Sequence, residues 1–266
     1  MNIKHLQLNT SILKQPQKVI DYIVDNNIDI SCLQEICYPI GGVSPLKKLS
    51  ESNGYYYVEG IHFNYHPNNQ TLAVAIVSKY PVIDFQTWYF NSPSFAPKDI
   101  TASDQLFGDL INNNYPDYPS SRGLINEVKS RCILSALVKT PSGLIRAVTT
   151  HFTVSDLCVE TSQMYQMSQM INSIIKHAGQ LPAIFSADLN VRAQSYSVSK
   201  ISEVLACHTT SFTDTLSPTH KVKVQNIFPN GLAIDHVFST GLKHLDTAEH
   251  IIDFSEHQAI ISNFEL

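Results

Sequence analysis

The chain has 266 residues, 18 basic against 23 acidic, a formal net charge of −5 and 43% apolar residues. That length suffices for one large α/β domain or two small ones, and the ordinary apolar content excludes a mostly disordered chain. The acidic balance, with no run of lysine or arginine, argues against tight sequence-independent binding to long nucleic acid, although bound metal ions would offset carboxylates locally.

In chain order, residues 3–8 alternate and read as a strand, which also sets them apart from the apolar centre of a secretory signal. Residues 17–27 read as a helix with Val19, Ile20, Ile23 and Val24 on one face, residues 29–34 as a buried strand, and residues 45–53 as a short helix closed by Gly54. Residues 55–59 and 71–78 look like sheet strands before a turn at Lys79-Tyr80-Pro81. From about 86 to 122 the periodicity is lost in a stretch with four prolines and seven aromatics, among them Trp88 and Phe90. A segment of that kind in a compact domain reads as a functional loop, its aromatics arguing for order. Residues 132–140 and 144–150, around Pro141-Ser142-Gly143, signal a hairpin. A helix follows over 161–177, then strands at 183–186, 233–239 and 257–264. There is no internal repeat and no Gly/Ser linker, so the chain reads as one domain, 1–266, with an irregular insertion at about 86–122.

The five cysteines are scattered and odd in number, against a disulfide framework or zinc cluster and for a reducing compartment. No run of about 18 apolar residues predicts a membrane span. The expectation is a cytoplasmic protein without stable membrane insertion; its oligomeric state is not legible.

Polar residues recur at strand ends. Asn9 ends the first strand and Gln34-Glu35 the second, His151 ends another, Asp188 and Asn190 follow an apolar run, Asp235-His236 interrupts the next, and Glu256-His257 opens the last. Singly, each suits a turn or a structural hydrogen bond. Together and in this order, the segments Leu6-Gln7-Leu8-Asn9, Cys32-Leu33-Gln34-Glu35, Thr150-His151-Phe152, Ser186-Ala187-Asp188-Leu189-Asn190, Ile234-Asp235-His236-Val237-Phe238 and Ser255-Glu256-His257 resemble the hallmarks of the endonuclease/exonuclease/phosphatase superfamily. Ile227-Phe228-Pro229, Ser78-Lys79-Tyr80-Pro81-Val82 and Phe212-Thr213-Asp214 are weaker echoes.

The resemblance implies a four-layer α/β sandwich, two mostly antiparallel sheets face to face and flanked by helices, with a site at one end. It implies hydrolysis of a phosphoester with Mg²⁺ or Mn²⁺, for which a carboxylate is the natural ligand. In that pattern Glu35 matches the metal ligand, with Asn9 and Glu256 beside it. Asp188 matches the residue that orients or deprotonates water, Asn190 an amide on the phosphoryl group, and His257 the closing histidine. His151 matches a histidine that contacts phosphate and protonates the leaving group, and Asp235 an acid near the leaving group or a second metal. Arg131 and Arg122 are the candidates for gripping substrate phosphate. Two positions depart from the family: Glu256 stands where Asp is usual, and Ala187 where Gly is common. The expected substrate is a phosphodiester, with a nuclease or DNA-end-processing enzyme ranked first and nucleic acid as its partner. A phospholipid or inositol-phosphate phosphoesterase is the alternative, favoured by the acidic charge and the aromatic segment; a non-catalytic binding protein keeping the fold is the reading Glu256 motivates.

Overall fold

The computed structural model describes residues 1–90, 96–101, 129–154, 158–218 and 227–266. Two sheets face each other. The seven-stranded sheet contains β1 (Asn2–Asn9), β2 (Ile30–Pro39), β3 (Tyr56–Tyr65), β4 (Gln70–Ser78), β6 (Lys98–Ile100), β12 (Lys243–His250) and β13 (Ala259–Glu265), in the order β12-β13-β1-β2-β4-β3-β6. The six-stranded sheet contains β5 (Val82–Phe90), β7 (Arg131–Thr140), β8 (Gly143–His151), β9 (Ala183–Asp188), β10 (Ala206–Cys207) and β11 (Asp235–Thr240), in the order β10-β11-β9-β8-β7-β5.

Most pairs are antiparallel. The pairs β1/β2, β8/β9 and the short β3/β6 are parallel; a parallel pair needs a crossover, which a helix supplies for β1/β2 and for β8/β9. The first crossover is α1 (Pro16–Asp25), opened by Pro16 and burying Val19, Ile20 and Ile23. The second is α3 (Ser162–His177), whose N-cap Thr161 accepts from the Met164 N–H and whose last turn carries Lys176 and His177 at the negative end of the dipole. With α2 (Pro45–Ser52) and α4 (Tyr196–Ile201), these helices cover the outer faces. Leu6, Leu8 and Leu33 pack under α1 and α2, and Phe185 and Phe238 under α3. Ile3, Cys32, Val74, Leu134 and Ile184 fill the space between the sheets. The arrangement is therefore a four-layer α/β sandwich.

Several elements differ from the sequence reading. β5 continues to Phe90, with Trp88 and Phe90 packed against the apolar cluster under α3, so the irregular stretch does not begin at 86. β12 was invisible because it is an edge strand whose outward side chains are largely polar, and charge on an edge guards against unwanted pairing. The short β6, β10 and α4 carry too few residues to show a period. Phe95, Phe107, Tyr115, Tyr118 and Arg122 lie outside the described residues. Among the described residues, no helix is long and apolar enough to cross a membrane.

The inward face of β1 is apolar only at its start. After Ile3 the same face presents His5, Gln7 and Asn9, at the two-residue period of a strand. Each finds a partner in the opposite sheet: His5 Nε2 lies 2.8 Å from Ser186 Oγ, Gln7 donates to Asp235, and Asn9 donates to Asp188. A row of polar bonds thus crosses the interior towards one end of the sandwich.

Burial holds several histidines neutral. It pushes His5 down to about 3, lowers His236, and pushes His208, stacked on His244 with centroids 4.0 Å apart, down to about 4. Unfolded histidine titrates near 6.5, so between about 4 and 6.5 the unfolded chain binds more protons and stability falls as pH is lowered. Asp188, raised to about 7 chiefly by burial, and His257, raised to about 10 by Asp235 against its own burial, act in the opposite sense, but His62 and His151 are lowered too, so these are two groups against five histidines. The melting temperature is therefore expected to drop between pH 7 and pH 4.5; a value that stays level across that span in a calorimetric series would contradict this account.

Candidate active site

The register places the polar strand ends in one row. His151, the last residue of β8, pairs with Asp188, the last of β9, which pairs with Asp235, the first of β11. On the facing sheet, Asn9 ends β1, and His257 lies just ahead of β13, β1's antiparallel neighbour. The two sheets thus deliver these residues to the same end.

Asp235 is completely buried and both its oxygens are engaged. Gln7 Nε2 donates to Oδ1 at 3.2 Å, while Thr215 Oγ1 and His257 Nδ1 each donate to Oδ2 at 2.8 Å. Asp188 accepts from Asn9 Nδ2 at 3.0 Å and from the Asn190 backbone N–H at 2.9 Å. His257 Nε2 lies 3.9 Å and His151 Nε2 3.4 Å from Asp188 Oδ2. Ser255 fixes the approach of His257: its hydroxyl donates to the Asn9 carbonyl at 2.6 Å and accepts from the His257 N–H at 3.0 Å.

These contacts separate the protonation states. Burial alone would lower the His257 pKa, but the Asp235 and Asp188 carboxylates outweigh it and lift the imidazole to about 10. His257 is therefore a cation at neutral pH. Burial, and then repulsion from Asp235, raises Asp188, while His257 and Asn9 oppose the rise. His151 is held well below 6.5 by burial, then by Arg131, His62 and His257. Arg131, buried at the start of β7, is brought down to about 10 by burial against the pull of Glu35 and Asp188, and stays charged at neutral pH.

Glu35 occupies a bulge. Between Leu33 and Ile36 the pairing of β2 with β4 slips, and Glu35 takes a left-handed φ of 55°. Its Oε2 accepts from the Ile12 N–H at 2.9 Å. Asn190 also sits at positive φ, 53°, and donates from Nδ2 to the Phe152 carbonyl. A left-handed glutamate is an observation from which a functional role can be argued.

The structure brings together Asn9, His151, Asp188, Asn190, Asp235 and His257, with Arg131 and Glu35 acting on them through their charges. Asp235 accepts from three donors, one of them the His257 imidazole. Glu256 stands apart from the His257 ring: its side chain is 33% exposed, with Oε1 3.7 Å from Lys14 Nζ. Asp235 does the work of fixing the His257 tautomer. Gln7 and Thr215, which complete the shell of Asp235, went unrecognised in the sequence; their signal was a polar residue on the inward face of β1, and the residue directly after Phe212-Thr213-Asp214.

Among the described residues, Asp188, Asp235 and His257 place ligand atoms within 4.8 Å of one another, a group that could hold a metal ion. The wider site fits a hard divalent cation: Glu35 offers carboxylate oxygen in a half-buried, bulge-set position, and two further buried carboxylates lie in the row beside it. A cleft of about 420 Å³ is lined by Arg192, two residues after Asn190, by Ala233, two before Asp235, and by Phe212, Phe228 and Pro229, and in it the Arg192 guanidinium sits 5.0 Å from the centre of the Phe228 ring.

A two-sheet sandwich with histidines and carboxylates gathered at one end is the arrangement that the resemblance in the sequence implies. Residues 2–257 match the model of the Endonuclease/Exonuclease/phosphatase family, and the chain belongs to that family. Among curated proteins none matches by sequence. Solved structures share the fold at low identity. An endonuclease/exonuclease/phosphatase from Bacteroides vulgatus is 16% identical with a TM-score of 0.72, over 100% of this chain and 99% of that one. TDP2 from D. rerio, complexed with single-strand DNA product, is 12% identical with a TM-score of 0.59, over 100% and 99%. A mannosyl-6-phosphatase from Bacteroides thetaiotaomicron is 14% identical with a TM-score of 0.62, over 99% and 100%.

If Asp235 holds His257 charged, Asp235→Asn removes the largest of the three opposing carboxylates and leaves burial to dominate. The His257 pKa is expected to fall from about 10 into or below the ordinary histidine range, read from the imidazole resonances in an NMR titration. An imidazole still titrating near 10 in the variant would show that another carboxylate holds it.

Proposed function

We propose that this chain is a divalent-metal-dependent phosphoric ester hydrolase that cleaves a phosphodiester, as a nuclease or a DNA-end-processing phosphodiesterase. The observation that carries the reading is the placement of His257 Nε2 3.9 Å from Asp188 Oδ2, with His257 Nδ1 tied to Asp235 and Asp188 held by Asn9, at the end of the sandwich. The surroundings of Asp188 and His257 push the carboxylate up towards neutrality and make the imidazole a cation, which is the pattern by which one site assigns a base and an electrophile.

Hydrolysis needs an in-line water, neutralised phosphoryl oxygens and help for the leaving oxygen. Asp188, aligned by Asn9 and the Asn190 N–H, takes the proton of the water. His257 presents Nε2–H to the phosphoryl oxygens while Nδ1 is tied to Asp235. The Asn190 amide binds a further phosphoryl oxygen. His151, kept neutral, serves as an uncharged donor to the phosphate or the departing oxygen rather than as an imidazolium. Glu35 would hold magnesium or manganese, with Asn9 and Asp188 on its flank. Such an ion supplies charge neutralisation and Lewis acidity at the phosphoryl group. Arg131 contributes a permanent positive charge.

The cleft beside Asn190 and Asp235 supports a substrate with a bulky group on the ester, and the Arg192–Phe228 pair suits a flat base. A lipid substrate loses part of its motivation, because Trp88 and Phe90 pack against the core under α3. Glu256 does not weaken the catalytic reading, since the His257 tautomer is set without it.

The test is hydrolysis of bis-(p-nitrophenyl) phosphate and nicking of plasmid DNA, with Mg²⁺, Mn²⁺ or EDTA. Turnover should vanish in EDTA and fall roughly 10²- to 10⁴-fold in His257→Ala. Turnover that survives either change would overturn the site assignment. Diester hydrolysis without plasmid nicking would remove the nuclease from the proposal.

A further inference from the structure

His62 lies near the middle of β3, entirely enclosed, and belongs to none of the motifs that mark the site. The Cys132 backbone N–H donates to its Nδ1 at 2.9 Å. An atom that accepts this bond carries no proton, so the proton of the neutral ring sits on Nε2. Nε2–H is thus a donor of fixed position, and among the described residues it has no acceptor. Burial, with Arg131 alongside, keeps the ring neutral.

The neighbours of His62 share this condition. The His151 ring lies 6.2 Å away, centroid to centroid, and among the described residues neither of its nitrogens makes a hydrogen bond, Nε2 standing 3.4 Å from Asp188 Oδ2 without forming one. Arg131, next in sequence to Cys132, is buried with its Nε–H unmatched. Buried donors without acceptors are rare in native structures, and three on adjacent strands of facing sheets ask for a common explanation. One water accepts two hydrogen bonds and cannot serve them all, whereas a phosphate offers several oxygens, each with more than one lone pair.

We propose that His62 is a substrate-binding residue that donates from Nε2 to a phosphoryl oxygen, in a pocket completed by Arg131 and His151. The inference rests on the phosphoesterase reading and extends it to a residue of β3. A neutral donor there adds a directed hydrogen bond next to Arg131 without a second buried charge. Arg131 supplies attraction to the anion, and His62 fixes where one of its oxygens sits.

The probe is inorganic phosphate, followed by calorimetric titration and by competition against diester hydrolysis. His62→Asn keeps an oxygen near the position of Nδ1 to accept from Cys132 but removes the Nε2 donor. His62→Gln places an amide donor close to the position of Nε2. Phosphate binding is expected to weaken about tenfold in His62→Asn, as for loss of one hydrogen bond to a charged group, and to stay within about threefold of wild type in His62→Gln. If His62→Asn binds phosphate as wild type does, or both variants fold and lose affinity equally, the proposal is overturned. Failure of wild type to bind phosphate also overturns it. Should His62→Asn melt early, the His62→Gln affinity decides alone: near wild type supports the donor, a full loss refutes it. Phosphate binding that depends on His62 in a protein lacking metal-dependent turnover would leave the pocket standing and remove the hydrolase reading instead.

Discussion

The bond between Asp235 and His257, sealed between two sheets, is the constraint on which the rest of the site depends. A buried carboxylate is tolerable only when its lone pairs are met, and a buried imidazolium only when a negative charge faces it. Asp235 has three donors and His257 has two carboxylates within 4 Å. Removing the imidazole would leave Asp235 enclosed and charged beside Asp188, and truncating one partner of such a pair typically costs about 3–5 kcal/mol. The pair also acts on Asp188. His257 lowers the Asp188 pKa but does not cancel burial and repulsion, and so the carboxylate is held near neutrality.

Topology explains why these charges meet. Each sheet contains one parallel pair joined across a helix, β1-α1-β2 and β8-α3-β9, and the two pairs end at the same edge of the sandwich. Asn9 ends one and Asp188 the other, and the Asn9–Asp188 bond ties them together at 3.0 Å. The polar inward face of β1 extends this tie inward through Gln7 and His5. A β1 that stayed apolar would bury more hydrocarbon, but it would leave Asp235 short of a donor. Some core hydrophobicity is given up to hold the charges in register.

The extent to which the sequence revealed this differs by element. The helices over α1 and α3 were readable because Val19, Ile20 and Ile23, or Met164, Met167 and Ile171, repeat at helical spacing. The hairpin β7/β8 was marked by its turn, and the order of Asn9, Glu35, His151, Asp188, Asp235 and His257 carried the resemblance to the family. The roles were less legible. That Asp235 serves His257, and that Glu256 does not, depends on which side of β11 faces Thr215 and Gln7, a property of packing and not of spacing. His62 left no trace for the same reason: a histidine in a strand becomes informative only when the atom opposite each nitrogen is known.

Backbone strain concentrates where the chemistry is. Of the eight described non-glycine residues with positive φ, five belong to the site or to the turn that supports it: Ser11, Ile12, Leu13, Glu35 and Asn190. Asparagine tolerates this conformation, but a branched isoleucine and a glutamate do so at a cost of about 1–2 kcal/mol each. The returns are specific. The left-handed turn directs the Ile12 N–H at Glu35 and the Ser11 hydroxyl at Ser255 and the Glu256 N–H. Ser255 in turn fixes the backbone before the His257 ring. One strained turn therefore supports both the Glu35 carboxylate and the backbone that leads into His257. Because they share this support, their separation is a property of the fold rather than of either side chain's rotamer.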